Sequence, residues 1–513
     1  VPKGKRVTYP RYTVDISPEK DKTHRTRITC GGNLLDYDGN VTTHTASMET
    51  IKLHWNSVLS SRGAKYATGD ISNMYLMSDL PDAEYVRFRL DLIPPCIITY
   101  YHLDQFVVDG YVYAKVKKAW YGLKQAGKIT HDDLVKQLAQ HRYVKAAFTD
   151  GLFYHKTRDI SFTLVVDDFG NKYTNDDDLK HLRTIMGLKY NFKVDRDAKQ
   201  YIGIHLRWDY LRRELRCSMD GYVLQALKEY NHFAPKRHSY APSHIRPREF
   251  GAPVQFVHDD TTAPLPPADV KFIERVVGKF LFYARAIDNT MLHGLSDIAS
   301  AMSKGTTATM NAVQYFLNYA ASNPDAEIIY RASDMILRVD SDAAYLVNPN
   351  ARSRAGGYYY LSNTTGTTFN EPIYILAKII KNVMASASEA EIAGIFLNAQ
   401  QAVPLRQALV EMGHPQPPTP LRTDNQAANG ILTGKFKQKR SKAIDMRFHW
   451  IKDRVEQKQF ALEWAPGILN LADYPTKHHS GKHHKQVRPI YLNIKNRSPS
   501  TMQGCIKILT GTT

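Results

Sequence analysis

The sequence is poor in cysteine, in long apolar runs and in acidic charge, and each shortage excludes a class of protein. Only four cysteines, Cys30, Cys96, Cys217 and Cys505, are scattered over 513 residues, with no CxxC pair among them. That argues against a disulfide framework and against a cysteine zinc site, and it fits a reducing, intracellular compartment. No apolar stretch approaches the roughly 20 residues that cross a bilayer, and the opening segment VPKGKRVTYPRYT lacks the apolar core of a signal peptide. A membrane-spanning reading is therefore set aside. Acidic residues number 50 against 68 Lys plus Arg, which leaves a net charge of +18. Such a surplus favours a polyanionic partner, nucleic acid before an anionic membrane surface. A first residue of Val1 fits a piece of a longer polyprotein.

What is present is ordinary globular material: 43% hydrophobic and 23% charged residues, enough to bury several cores. At about 100 to 200 residues per domain, the length implies three or four compact units. Met48, Ile51, Trp55, Val58 and Leu59 fall at helical spacing within 45–59, and AKYATGDI then reads as a strand ending near Asp70. The run FTLVV at 162–166 reads as a buried strand, followed by Asp167 and Asp168, with Gly170 and Asn171 signalling the return turn. Between about 232 and 270 the composition shifts to Pro, His and Arg, which marks an irregular connection and a change of domain. Helical patterning over 271–320 precedes a succession of elements in the order βββαβααβα, with acids at strand and helix ends, predicting a mixed sheet covered by helices.

Two sets of acids carry the chemistry. Phosphoryl transfer needs two divalent cations about 3.5 to 4 Å apart, held by hard oxygen ligands. Asp70 at a strand end and Asp167 with Asp168 at a hairpin tip are suitable ligands on rigid supports. The second set lies toward the C-terminus: Asp342 ends the first strand of the mixed sheet, Glu389 opens its long helix, Asp424 ends the fourth strand and Asp473 starts the final helix. Asp340 and Glu391 stand close by, and motif register favours Asp342 and Glu389 over them.

The series TGDISNMYL, YGLKQA, LVVDDFG and YIGIHL resembles, in order and spacing, the palm motifs of copia-type long-terminal-repeat retrotransposon reverse transcriptases. SDAAYLVNPNARSRAGG, SASEAE, TDNQAA, RSKAIDMRFHWI and NLADYPTK resemble the ribonuclease H domain of the same family. The resemblance implies an α+β multidomain fold: fingers and palm over 1–215, thumb and connection over 216–330, a ribonuclease H domain over 331–485 and a tail over 486–513. It implies that Asp70, Asp167 and Asp168 bind metal for polymerisation, and that Tyr75 gates out the ribose 2′-hydroxyl. Arg25 or Arg27, in RTRITCGG, would meet the incoming triphosphate, and Gln125 of YGLKQA would contact substrate. Asp342, Glu389, Asp424 and Asp473 would hold the ions that cleave RNA. Val165 and the run Gly127, Lys128 and Ile129 depart from the commoner family pattern without removing a ligand.

The same resemblance implies two Mg²⁺ ions per site, with Mn²⁺ as the alternative. Its partners would be an RNA template, a DNA or RNA primer, RNA/DNA hybrid and dNTPs, in a monomer or dimer derived from a polyprotein with capsid, protease and integrase segments. Transposition and DNA integration, in cytoplasmic virus-like particles or the nucleus, would be the setting. A binding protein of this fold that has lost catalysis is the second reading; an RNA-directed RNA polymerase is a third, which Tyr75 and the ribonuclease H motifs disfavour. KFKQKRSKAIDMRFHW, with Phe448 and Trp450 among its basic residues, has a composition suited to a nucleic-acid backbone or to a solvated helix face. The tail KHHSGKHHKQVRP supplies His478, His479, His483 and His484. With no cysteine or acidic ligand set nearby in sequence, it reads as a basic segment facing solvent or substrate rather than a zinc site.

Overall fold

A computed structural model describes residues 1–16, 24–244, 257, 259–432 and 442–493. Two compact units arise, one from 1–46 and 66–197, the other from 47–65 and 198 onward. The stretch assigned by sequence to a connection, 216–330, and the mixed-sheet region thus fall in one unit. The helix α1 (Met48–Ser60) also belongs there. Its N-cap Ser47 accepts the Thr50 N–H at 3.1 Å, and Lys52 is buried and donates to the Arg285 carbonyl at 2.8 Å.

In the first unit, β1 (Pro10–Ile16) and β2 (His24–Cys30) form a hairpin. A second sheet pairs β4 (Asp79–Arg89) with β5 (Tyr111–Lys118). The third sheet contains β3 (Lys65–Ile71), β6 (Tyr143–Lys145), β7 (Leu152–His155), β8 (Ile160–Val165), β9 (Asp168–Tyr173) and β10 (Phe192–Asp195), in the order β10-β3-β9-β8-β7-β6. The helices α2 (Ala126–Gln140) and α3 (Asp176–Gly187) contribute Leu134, Leu138, Leu182 and Met186 to its core, where Phe153, Phe162 and Phe169 pack in series at 5.1 and 5.0 Å between centroids. Burying each such ring is worth about 1.5–3 kcal/mol, so this face fixes strand register.

That register corrects one expectation. Gly170 and Asn171 lie inside β9, opposite Thr163 and Phe162, and the turn is made by Val166 and Asp167. Asn171 is buried and ties β9 to β3 by donating to the Ala67 carbonyl at 3.1 Å. Polar turn formers were read as a turn, but here a cross-strand hydrogen bond holds one of them in the sheet.

In the second unit, β11 (Ile204–Asp209), β12 (Glu214–Ser218) and β13 (Glu327–Arg331) make three antiparallel neighbours, accompanied by α4 (Pro267–Ala286), α5 (Leu292–Ala301) and α6 (Thr307–Ser322). A five-stranded sheet follows from β14 (Ile336–Asn348), β15 (Arg352–Ser362), β16 (Tyr374–Ile379), β17 (Thr419–Thr423) and β18 (Phe460–Trp464), in the order β16-β15-β14-β17-β18. The first three strands are antiparallel; β14, β17 and β18 run parallel. Its helices are α7 (Ala387–Glu411), α8 (Gln426–Leu432) and α9 (Lys442–Glu456). The mixed sheet and the α+β class match the sequence reading.

The C-terminal end does not. After Asp473 comes a 3-10 turn, Tyr474–Thr476, and the last helix among the described residues is α10 (Gly481–Tyr491), capped by Ser480. One face of the histidine-rich tail packs inward, while Lys482, His483 and Lys485 are exposed. His484, Arg488 and Tyr491, at i, i+4 and i+7, are buried, and Arg488 donates to Asp288 at 2.7 Å. Helical spacing, rather than hydrophobicity, puts these polar groups on one face, and a buried acid offsets the charge.

Candidate active sites

The first set of acids is assembled by strand adjacency. Asp70 leaves the end of β3, whose neighbour is β9, and the Ile71 N–H donates to the Asp167 carbonyl at 3.2 Å, fastening the strand end to the hairpin turn. Val166, in that turn, has a left-handed backbone at φ 58°. A β-branched residue in the left-handed region costs on the order of 1–3 kcal/mol, strain that persists where surroundings impose it. Burial, with the charges of Asp167 and Asp70 beside it, pushes the Asp168 carboxyl up to about 6. Burial also raises Asp167, and Asp70 adds to the effect while Arg27 opposes it. Asp70, Asp167 and Asp168 thus share one electrostatic neighbourhood, crowded with like charge.

Tyr75 belongs to the same neighbourhood. It is raised by burial and then by Asp167, and its ring lies 4.5 Å from that of Tyr121. Arg27 reaches the site electrostatically, whereas the side chain of Arg25 lies outside the described residues. Gln125 is buried and donates its amide to Glu84 Oε1 at 2.9 Å, joining the start of α2 to β4.

The second set closes around β14. Asp342, Glu391 and Asp424 each bring a carboxylate oxygen within 4.8 Å of the others. Glu391 sits on α7 and its Oε1 accepts the Ala343 N–H at 3.3 Å. Glu389 is turned away, its Oε2 accepting the Ala385 N–H at 2.7 Å while Ser386 Oγ accepts the Glu389 N–H. Ser386 thus caps α7 and the Glu389 carboxylate is tied to the backbone just before the helix, while Glu391 stands at the cluster. Asp340 is likewise excluded, gripped by Arg422 at 2.8 and 2.6 Å. Asp473 is paired with Lys477, and its charge helps raise Asp342. Burial comes first in raising both Asp342 and Glu391, with neighbouring carboxylates next.

Three further residues complete this site without having been singled out from sequence. Thr476 donates to Asp342 Oδ2 at 2.7 Å, and Lys477 lies near enough to Asp342 and Asp424 to be raised by them. A Cβ at Gly467 would stand 2.7 Å from Asp424 Oδ2. Thr476 and Lys477 lie within NLADYPTK, so position beside a candidate ligand was the available signal; nothing local distinguished Gly467. Crowded, raised carboxylates with oxygen donors only are a fit for hard divalent cations, which relieve the repulsion.

The described part of the basic stretch is less open than its composition suggested. Trp450 packs edge-on against Phe396 of α7, at 5.2 Å between centroids, and carries the Arg454 guanidinium over its face. Residues 433–441 lie outside the described residues.

No family model matches the chain. Over 415 residues, 80% of the chain, it is 21% identical to the Retrovirus-related Pol polyprotein from transposon TNT 1-94 of Nicotiana tabacum. Over 488 residues, 90% of the chain, it is 21% identical to the Transposon Ty1-JR2 Gag-Pol polyprotein of Saccharomyces cerevisiae. The chain spans 29% and 26% of those two proteins. A solved foamy viral protease-reverse transcriptase in complex with dsDNA aligns with 90% of this chain and 77% of its own, at 12% identity and a TM-score of 0.45. Among the described residues, no helix is long and apolar enough to cross a membrane.

Proposed function

We propose that this chain, a copia/Ty1-type long-terminal-repeat retrotransposon Pol-like protein with reverse-transcriptase-like and ribonuclease-H-like regions, is an RNA-directed DNA polymerase that also hydrolyses RNA in RNA/DNA hybrids. The observation that carries this reading is the formation of two separate carboxylate groups, one at a strand end and hairpin turn, the other at β14, α7 and the end of β17.

Pairs of Mg²⁺ or Mn²⁺ ions, when bound, would supply Lewis acidity to the attacking and leaving oxygens. Asp70, Asp167 and Asp168 would hold them for polymerisation. Tyr75, which lies within the influence of Asp167, would crowd a ribose 2′-hydroxyl, and Arg27, which acts on the same aspartate, would supply positive charge to a triphosphate. In the second site Asp342, Glu391 and Asp424, with Asp473 nearby, would be the ligands, and Thr476 donates to the Asp342 carboxylate. Primer, RNA template, dNTPs and hybrid would be drawn by the net charge of +18. Virus-like particles in the cytoplasm are the proposed setting.

The deciding experiment is primer extension on an RNA template with dNTPs or rNTPs and Mg²⁺ or Mn²⁺, run beside hybrid cleavage. Asp168→Asn should abolish synthesis and spare cleavage, and Asp424→Asn should do the reverse. A parent inactive in both assays but still binding hybrid would favour the reading as a binding protein of this fold.

A further inference from the structure

One buried side chain in the second unit is unexplained by either acid site. His293, on α5, is 4% exposed, and its ring meets that of His478 edge-on at 4.3 Å between centroids. Asp297 follows at i+4 on the same helix face, and His478 arrives from the segment beyond Thr476. One ligand atom from each of the three lies within 4.8 Å of the others.

We propose that His293, Asp297 and His478 form a transition-metal site, taking Zn²⁺ or an ion of similar preference, separate from the two carboxylate sites. Two imidazoles and one carboxylate suit zinc and not magnesium, which prefers an all-oxygen shell. A His and an acid four apart on a helix point the same way, and the third ligand comes from a distant stretch of chain, so the ion would tie α5 to the segment that carries Asp473 and Lys477. Neighbours hold the ligands in aim. His478 Nδ1 faces Ser243 Oγ at 2.9 Å, leaving Nε2 toward Asp297 Oδ2 at 2.6 Å. The other oxygen of Asp297 is held by the fully buried Arg354, whose guanidinium also donates to Ser296 Oγ at 2.9 Å and Asn348 Oδ1 at 3.1 Å. Such outer contacts orient ligands. Burial first, then the Arg354 charge, drives the His293 imidazole well below its ordinary pKa, leaving the neutral form that a metal takes. The same guanidinium opposes a cation, so affinity should be lower than in a site of cysteines.

The rival arrangement is a plain Arg354–Asp297–His478 ionic network, and metal uptake by the full chain separates the two. The chain is stripped with chelator and titrated with Co²⁺ in the presence of a large excess of Mg²⁺, which occupies the carboxylate sites. About one equivalent should bind with the intense visible absorption of a four-coordinate, imidazole-ligated ion. Zn²⁺ should displace it and raise the thermal midpoint. His293→Gln and His478→Gln should each lose that absorption and the Zn²⁺-dependent shift, while an Asp342→Asn/Asp424→Asn double variant should keep both. Absence of the absorption in the parent, or its survival in His293→Gln, overturns the proposal. If a histidine variant fails to fold, imidazole coordination in the parent's X-ray absorption spectrum decides between the two arrangements. None of these readouts depends on polymerase or nuclease activity.

Discussion

Asp340 and Asp342 lie two residues apart on β14, yet one is locked to Arg422 through both carboxylate oxygens and the other enters the acid cluster. Strand alternation sends both side chains to the same face, so their neighbours decide their parts. Removing the buried Asp340 leaves the partly exposed Arg422 guanidinium and the Leu471 N–H without their acceptor, and Asp340→Ala should lower stability by about 3 kcal/mol in urea denaturation. Asp342→Asn should leave metal-free stability unchanged or higher, and abolish RNA cleavage.

The two glutamates of α7 make a matched pair for assay. Glu391→Gln should lose hybrid cleavage, because it is the carboxylate beside Asp342 and Asp424. Glu389→Gln should keep cleavage and cost about 1 kcal/mol or less, the worth of one hydrogen bond at a helix start. Cleavage kept by Glu391→Gln and lost by Glu389→Gln would return the ligand to the residue that motif register favoured.

Asp168 provides a pH test. Its carboxyl is raised in the folded protein, from 3.8 to about 6, by burial and by Asp167 and Asp70. A raised folded pKa means that the folded state favours the proton, so the contribution to stability is full below about 3.8 and is lost as pH climbs through about 6. Without metal, Asp168→Asn should therefore melt higher than the parent at pH 7.5, with the gap closing toward pH 4. Mg²⁺ should raise the melting midpoint of the parent by more than that of the variant, which keeps only the second carboxylate site, as thermal melts at both pH values would show.

Gly467 should be intolerant for function rather than for folding. Any Cβ there would press on Asp424 Oδ2, the movable end of a side chain, so Gly467→Val displaces a ligand without opening the core. Expected are a large loss of hybrid cleavage, primer extension within about twofold of the parent, and a melting midpoint within a few degrees. Equal loss of both activities would point to general unfolding.

Much of the fold was legible because its strands and helices announce themselves by apolar spacing. The order of β14 to β18, the Asp70 strand end and the paired acids near 167 followed from residues within a few positions of one another. Tertiary structure alone decided which of two neighbouring acids enters a cluster. Asp340 needed Arg422, brought in by a parallel strand, and Glu389 needed the backbone of Ala385. It also decided that Gly170 and Asn171 continue a strand and that the His484, Arg488 and Tyr491 face turns inward toward Asp288. Local sequence specifies backbone preference and polarity, whereas a charged or polar side chain takes its part from the partner that compensates its burial, and that partner can stand hundreds of residues away.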